Sequence, residues 1–160
     1  MEPRQFSFTH VHGQDFRTRA VGFIEEATKG DLDAKRVYEA LKPTVQHKLD
    51  TRFKHWLDRV IYNKYFHGFP GDHGTCFTFK WEERHIPQRL YGFICHPKPY
   101  TDAGFELCSL MYYDTKADKT NYTILGWINQ WSVHPLVVAA IGQQYPEFLM
   151  QTTRKNKWTQ

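Results

Sequence analysis

The sequence predicts an α+β fold in which a helical hairpin packs on a small antiparallel β-sheet, with further helices towards the C-terminus. Three observations predict it. Between Gly74 and Lys116, three short runs carry strand patterns, separated by links rich in Pro, Asp, Gly and charge. Ahead of them, Thr44 to Ile61 repeats apolar residues at helical spacing, and after them Ile124 to Ile141 does so again. A chain of 160 residues can bury a core without metal or disulfide staples, and it has no internal repeat or low-complexity linker. A single domain, 1–160, is therefore expected.

Taken in order, residues 4–12 alternate weakly, with Phe6, Phe8, His10 and His12 on one face, and read as a fourth, edge strand. His10 and His12 could bracket a metal. With no carboxylate or cysteine partner they read instead as surface histidines, and no metal site is expected. Residues 17–28 offer Ala20, Phe23, Ile24 and Ala27 at helical spacing, ended by Gly30. A short helix from Asp33 to Leu41 follows, stopped because the residue before Pro43 is pushed out of the helical region.

The strongest helix runs from Thr44 to Ile61. Val45, Leu49, Phe53, Trp56, Leu57, Val60 and Ile61 form one stripe, with Pro43 in the first turn. Its charged residues Lys48, Arg52, Lys54, His55 and Arg59 could contact phosphates, but Asp50 and Asp58 are interspersed among them, the pattern of a solvated face. From Tyr62 to Gly74 the chain reads as a loop dense in Gly, Pro, His and aromatic residues. Its rings and histidines are suited either to stacking bases and moving protons or to tucking under the sheet.

Cys76–Trp81 puts Phe77, Phe79 and Trp81 on one strand face and Cys76, Thr78 and Lys80 on the other. Arg89–Cys95 is apolar on both faces, and Phe105–Tyr113 suits a half-buried pleated surface. The links Glu82–Gln88 and Lys98–Gly104 favour an antiparallel meander. Beyond a charged turn at Asp114–Thr120, Ile124, Trp127, Ile128 and Trp131 predict one helix. Ser132 is placed to cap a second, in which Pro135 lies in the first turn and Val137, Val138 and Ile141 are buried, with Pro146 ending it. Trp158 lies in a polar tail beside Arg154–Lys157.

Composition narrows the function classes. Aromatic residues make up 16% of the chain, with 12 Phe and 9 Tyr, so many must be core. No run of 18 apolar residues exists, and the N-terminus leads into no apolar signal region, so a cytoplasmic protein without a membrane span is expected. Cys76, Cys95 and Cys108 are odd in number, without C-x-x-C spacing, and read as free thiols. The formal net charge of +4 permits a polyanionic partner.

The chain carries no phosphate-binding glycine loop, no G-x-S-x-G, no H-E-x-x-H and no zinc-finger spacing, so no cofactor is expected. What stands out is a set of cations, histidines and tyrosines on and around the sheet. Metal-independent cleavage of RNA needs a base, an acid and positive charge on the developing phosphorane. His96, Tyr113 and Arg89 are the catalytic candidates, and Lys80, Arg84 and Lys98 the substrate-binding ones. Opposite facing of Arg89 and His96 along one strand requires that such a site form at strand ends.

The helical hairpin from Asp33 to Ile61, followed by a small sheet with a cation-bearing strand and the run Arg89-Leu90-Tyr91-Gly92-Phe93-Ile94, resembles the RelE/HigB-type toxins of toxin–antitoxin pairs. The likeness spans roughly residues 33 to 116 in element order. It implies a messenger-RNA endonuclease acting with the ribosome and neutralised by a small antitoxin protein. The chain is longer than such toxins and less basic. A non-catalytic protein-binding module, using the aromatic loop and the Trp158 tail, is the alternative reading.

Overall fold

The computed structural model describes residues 4–12, 18–98, 104–115 and 119–148; the Arg154–Lys157 and Trp158 tail, and Lys116 in the charged turn, lie outside them. The fold is α+β. Its strands are β1 (Ser7–His10), β2 (Arg19–Glu25), β3 (Phe66–Gly68), β4 (Cys76–Glu83), β5 (Ile86–Cys95) and β6 (Glu106–Asp114). Its helices are α1 (Ala34–Ala40), α2 (Pro43–Leu57), α3 (Tyr122–Trp131) and α4 (Pro135–Gly142). The strands form one sheet in the order β1-β2-β6-β5-β4-β3, antiparallel throughout except for the parallel β2–β6 pair.

The expected β4–β5–β6 meander is present, but it is half of a six-stranded mixed sheet. The difference lies at residues 17–28, where the helix expected from Ala20, Phe23, Ile24 and Ala27 is instead the central strand β2. Residues Ala20 to Ile24 are all buried. A strand covered on both faces loses its alternation, so apolar residues fall at helical spacing by default. Edge strand β1 lies where expected.

Two cores sandwich the sheet. On one face α1 and α2 lay Ala34, Leu49, Phe53 and Trp56 against Val21, Phe23, Phe79, Trp81, Leu90 and Leu110. On the other, α3 and α4 lay Ile124, Leu125, Ile128, Val137 and Ile141 against Phe8, Ile24, Tyr91, Phe93, Leu107 and Met111. Among the described residues no single helix is long and apolar enough to cross a membrane; α3 and α4 meet at 71°. The cap of α4 is His134, whose ring accepts from the Leu136 amide at 3.1 Å, not Ser132. The three cysteines are free, and burial pushes the Cys76 thiol up to about 11 and the Cys95 thiol up to about 12.

Helix α2 stops four residues before the expected end. The Arg59 amide donates to Trp56 O and the Val60 amide to His55 O, with Arg59 in the left-handed region at φ 64°. This reversal leaves Val60 and Ile61 outside the stripe, 43% and 87% exposed.

The β4–β5 link is also tighter than expected. Glu83 pairs with Ile86, leaving only Arg84 and His85 as the turn, both with positive φ (51° and 66°). Such turns match strand twist but normally use Asn-Gly. Pro87 fits within β5 because Glu82–Pro87 is the pair without ladder bonds, and pairing to β6 starts only at Arg89–Asp114. Replacing Arg84-His85 by Asn-Gly should therefore raise stability by about 1–2 kcal/mol, read as a higher urea midpoint. An unchanged midpoint would mean that the turn carries no strain.

At the β5–β6 pairing a bulge separates Tyr91–Tyr112 from Gly92–Leu110. A Cβ on Gly92 would lie 2.1 Å from Ser109 O, so only glycine permits this approach. Below the bulge, the seam between β2, β6 and α1 is closed by buried charge. Lys29 Nζ donates to Ile24 O at 2.8 Å and Met111 O at 2.6 Å, and pairs with Asp33 Oδ1 at 3.0 Å. Asp33 in turn accepts from the Glu26 amide and, as the cap of α1, from the Arg36 amide.

Candidate functional site: a cationic cleft across the β4 edge

Strand β3 is three residues long and pairs only with Phe77 to Phe79. The Lys80 amide still donates to Tyr65 O at 2.7 Å. Beyond that bond no strand among the described residues covers the edge of β4. A cleft of about 440 Å³ opens there, where Lys48, Arg52, Lys64, Lys80 and Arg89 surround one carboxylate, Glu82. Register places Lys80, Glu82, Pro87 and Arg89 on the α3 face and Trp81 and Gln88 on the α2 face, so the cleft crosses the sheet edge. Lys48 and Arg52 of α2 line it too, on a helix face whose charges were expected to be solvated rather than gathered at a cleft.

Lys80 and Arg89 stand directly opposite each other on neighbouring strands. Like charges in this position repel. Among the described residues no ion pair reaches Lys80. Burial, then the Arg89 charge, lowers the Lys80 pKa from its ordinary value. Arg89 is held from the α3 side: its Nη1 donates to Thr120 Oγ1 at 3.2 Å. The neighbouring Asn121 amide donates to the Tyr91 hydroxyl at 3.2 Å, and its side chain donates to Asp114, the cross-strand neighbour of Arg89.

A third group joins this face. His67 pairs with Thr78, two residues from Lys80 along β4, so the three side chains project from one surface. Its Nδ1 lies 2.8 Å from Gly68 O; a carbonyl only accepts, so Nδ1 carries the proton and Nε2 is left as a basic nitrogen. Burial lowers the His67 pKa; the hydrogen bond to Gly68 O opposes that shift, and the Lys80 and Arg89 charges add to it.

Of the six residues expected to form a site, Lys80 and Arg89 come together in the cleft. Arg84 is at the exposed tip of the β4–β5 turn. Tyr113 faces α2 and donates its hydroxyl to Gln88, and burial raises its pKa, so it is a poor proton donor here. His96 and Lys98 lie past the other end of β5. His96 Nδ1 contacts Phe105 O at 3.2 Å, and Lys98 Nζ sits over the Phe105 ring. Along β5 that end is about 20 Å from Arg89, at about 3.3 Å per residue. His96 and Tyr113 are therefore not partners of Arg89 in one site. The histidine that shares a sheet face with Lys80 and Arg89 is His67, which was not among the six.

His10, expected as a surface histidine, packs its Nε2 against Tyr145 Oη at 2.6 Å, and burial lowers its pKa. A second cavity of about 500 Å³ lies between β1 and the α1–α2 hairpin. There Asp50 accepts from the Tyr38 hydroxyl, and burial raises the carboxyl pKa. Its lining mixes both signs of charge, whereas the β4 cleft is strongly one-signed. Among the described residues no cluster of three metal-ligating side chains occurs.

No family model matches the chain, and neither a curated protein nor a solved structure matches it.

Proposed function

We propose that the chain is a metal-independent RNA endonuclease of the toxin type, and that the β4 cleft is its substrate groove. The observation that carries this reading is the Lys80–Arg89 pair: two opposed cations, of which Lys80 makes no ion pair among the described residues, with His67 on the same sheet face. A phosphate between them would relieve the repulsion that the sheet imposes. His67 Nε2 takes the proton of the ribose 2′-hydroxyl as its oxygen attacks phosphorus. Arg89 binds the phosphorane oxygens. Lys80, made more acidic by its surroundings, gives its proton to the departing 5′-oxygen, leaving a 2′,3′-cyclic phosphate and a 5′-hydroxyl. Solvent exchange then restores both groups. The toxin resemblance extends the proposal to a small neutralising partner and to cleavage on the ribosome.

The test is RNA cleavage by purified protein in EDTA, with and without ribosomes, together with growth arrest on induction. His67→Ala, Lys80→Ala and Arg89→Ala should each reduce cleavage about 10²–10⁴-fold, whereas His96→Ala and Tyr113→Phe should leave it nearly intact. The pH profile supplies the sign. His67 must be neutral, so the rate rises with pH through a pKa below 6.5; Lys80 must be protonated, so it falls through a pKa below 10.5. Wild type that cleaves nothing in either setting, or three folded variants as active as wild type, would overturn the proposal. The protein-binding reading, which has the exposed Val60-Ile61-Tyr62 run in its favour, would then stand in its place.

A further inference from the structure

Directly after the left-handed Arg59, three apolar residues face solvent: Val60 and Ile61, described above, and Tyr62, 44% exposed. Consecutive exposed apolar side chains on a folded chain call for a functional reason. This run is also not loose. The Tyr65 and Phe66 amides both donate to Tyr62 O, at 2.9 Å and 3.1 Å, so a tight turn sets Tyr62 against Tyr65. The two ring centres are 4.5 Å apart, and Arg52 Cζ lies 3.8 Å from the centre of the Tyr65 ring. The result is a ladder, Arg52 to Tyr65 to Tyr62, rising from the cleft towards solvent.

The ladder is fastened to the proposed phosphate site by its backbone. Tyr65 O accepts from the Lys80 amide, and Arg52 Nη1 donates to Lys80 O, so both lower rungs are bonded to the residue whose ammonium faces Arg89. Lys64, between the tyrosines in sequence, lines the same cleft. Cations that track a backbone next to an exposed aromatic face are the combination that holds single-stranded nucleic acid, since every base has a π-face to stack. A duplex offers no such face, because its bases are already stacked.

Resting on the RNA-binding reading above, we propose that Tyr62, backed by Tyr65 and Arg52, is a stacking subsite for an unpaired nucleobase adjacent to the phosphate held at Lys80 and Arg89. The subsite selects for single-stranded substrate and tolerates any base.

The experiment measures fluorescence anisotropy with a labelled 2′-deoxy oligonucleotide, which lacks the attacking hydroxyl, and with the same strand made abasic. Tyr62→Ser should weaken the base-bearing strand about five- to a hundredfold and leave the abasic strand unchanged. Tyr62→Trp should bind the base-bearing strand at least as tightly as wild type. Lys80→Ala should weaken both strands alike. If Tyr62→Ser binds the base-bearing strand as wild type does, or loses both strands equally, the stacking subsite is overturned while the cleft survives through the Lys80 result. If wild type binds neither strand, the cleft reading falls and the subsite with it.

Discussion

Replacing Lys29 by alanine should destabilise the protein by about 3–5 kcal/mol, because it strands a buried carboxylate and two strand carbonyls at once. Lys29 and Asp33 side chains are 4% and 3% exposed, so water cannot take over the lost bonds. The ammonium is fully used, by Ile24 O, Met111 O and Asp33 Oδ1, and its removal opens the join of β2 to β6 and unseats the cap of α1. Burial lowers the Lys29 pKa, yet Asp33 opposes that shift and favours the charged form. Urea unfolding of Lys29→Ala, Asp33→Asn and the double variant measures the coupling. The double variant should lose less than the sum of the singles. A loss below about 1 kcal/mol for Lys29→Ala would mean that the seam is hydrated in solution.

Phe53→Ala should cost a similar amount, about 3–5 kcal/mol, by leaving a cavity where α2 meets the sheet. The ring is buried and meets Phe79 edge-on, with centres 4.8 Å apart and planes at 89°, and Phe23 packs on another side. A control lies in the same stretch of sequence. Ile61→Ala should change stability by less than about 0.5 kcal/mol, since that side chain lies beyond the end of α2. Equal losses at the two positions would mean that α2 continues through Ile61 and that the exposed run does not exist.

The contrast between Phe53 and Ile61 shows what the residue pattern could carry. Period alone identified the stripes of α2 and α3, each of which buries one side and exposes the other, and the alternating faces of β4, where Phe77, Phe79 and Trp81 stand opposite Thr78 and Lys80. It misread β2, whose neighbours bury both sides; the information that decides between helix and strand there resides in β1 and β6. It placed the α2 end too late because the left-handed stop is an arginine, and it made the β4–β5 link too long because Arg84-His85 is not a usual turn pair. Lys80 and Arg89 were legible as strand cations, but their opposition needed a register that the two-residue turn sets. His67 was legible only as a loop histidine. Its one clue was the sequence Phe66-His67-Gly68, where a large apolar residue and a histidine alternate as they do on a short edge strand.

The place of β6 sets the order in which this molecule becomes itself. Arg19 on β2 finds its ion-pair partner Glu106 on β6, 87 residues later. A chain leaving the ribosome makes β1, β2 and both helices of the hairpin long before the strand that belongs beside β2. Until then Leu49, Phe53 and Trp56 have only part of their floor. Such late, long-range pairing slows folding and leaves apolar surface open to aggregation or proteolysis. A nascent chain halted before Glu106 would hold the β1–β2 and β4–β5 hairpins without the strand that joins them, so the cleft edge could form in isolation while the domain around it could not close.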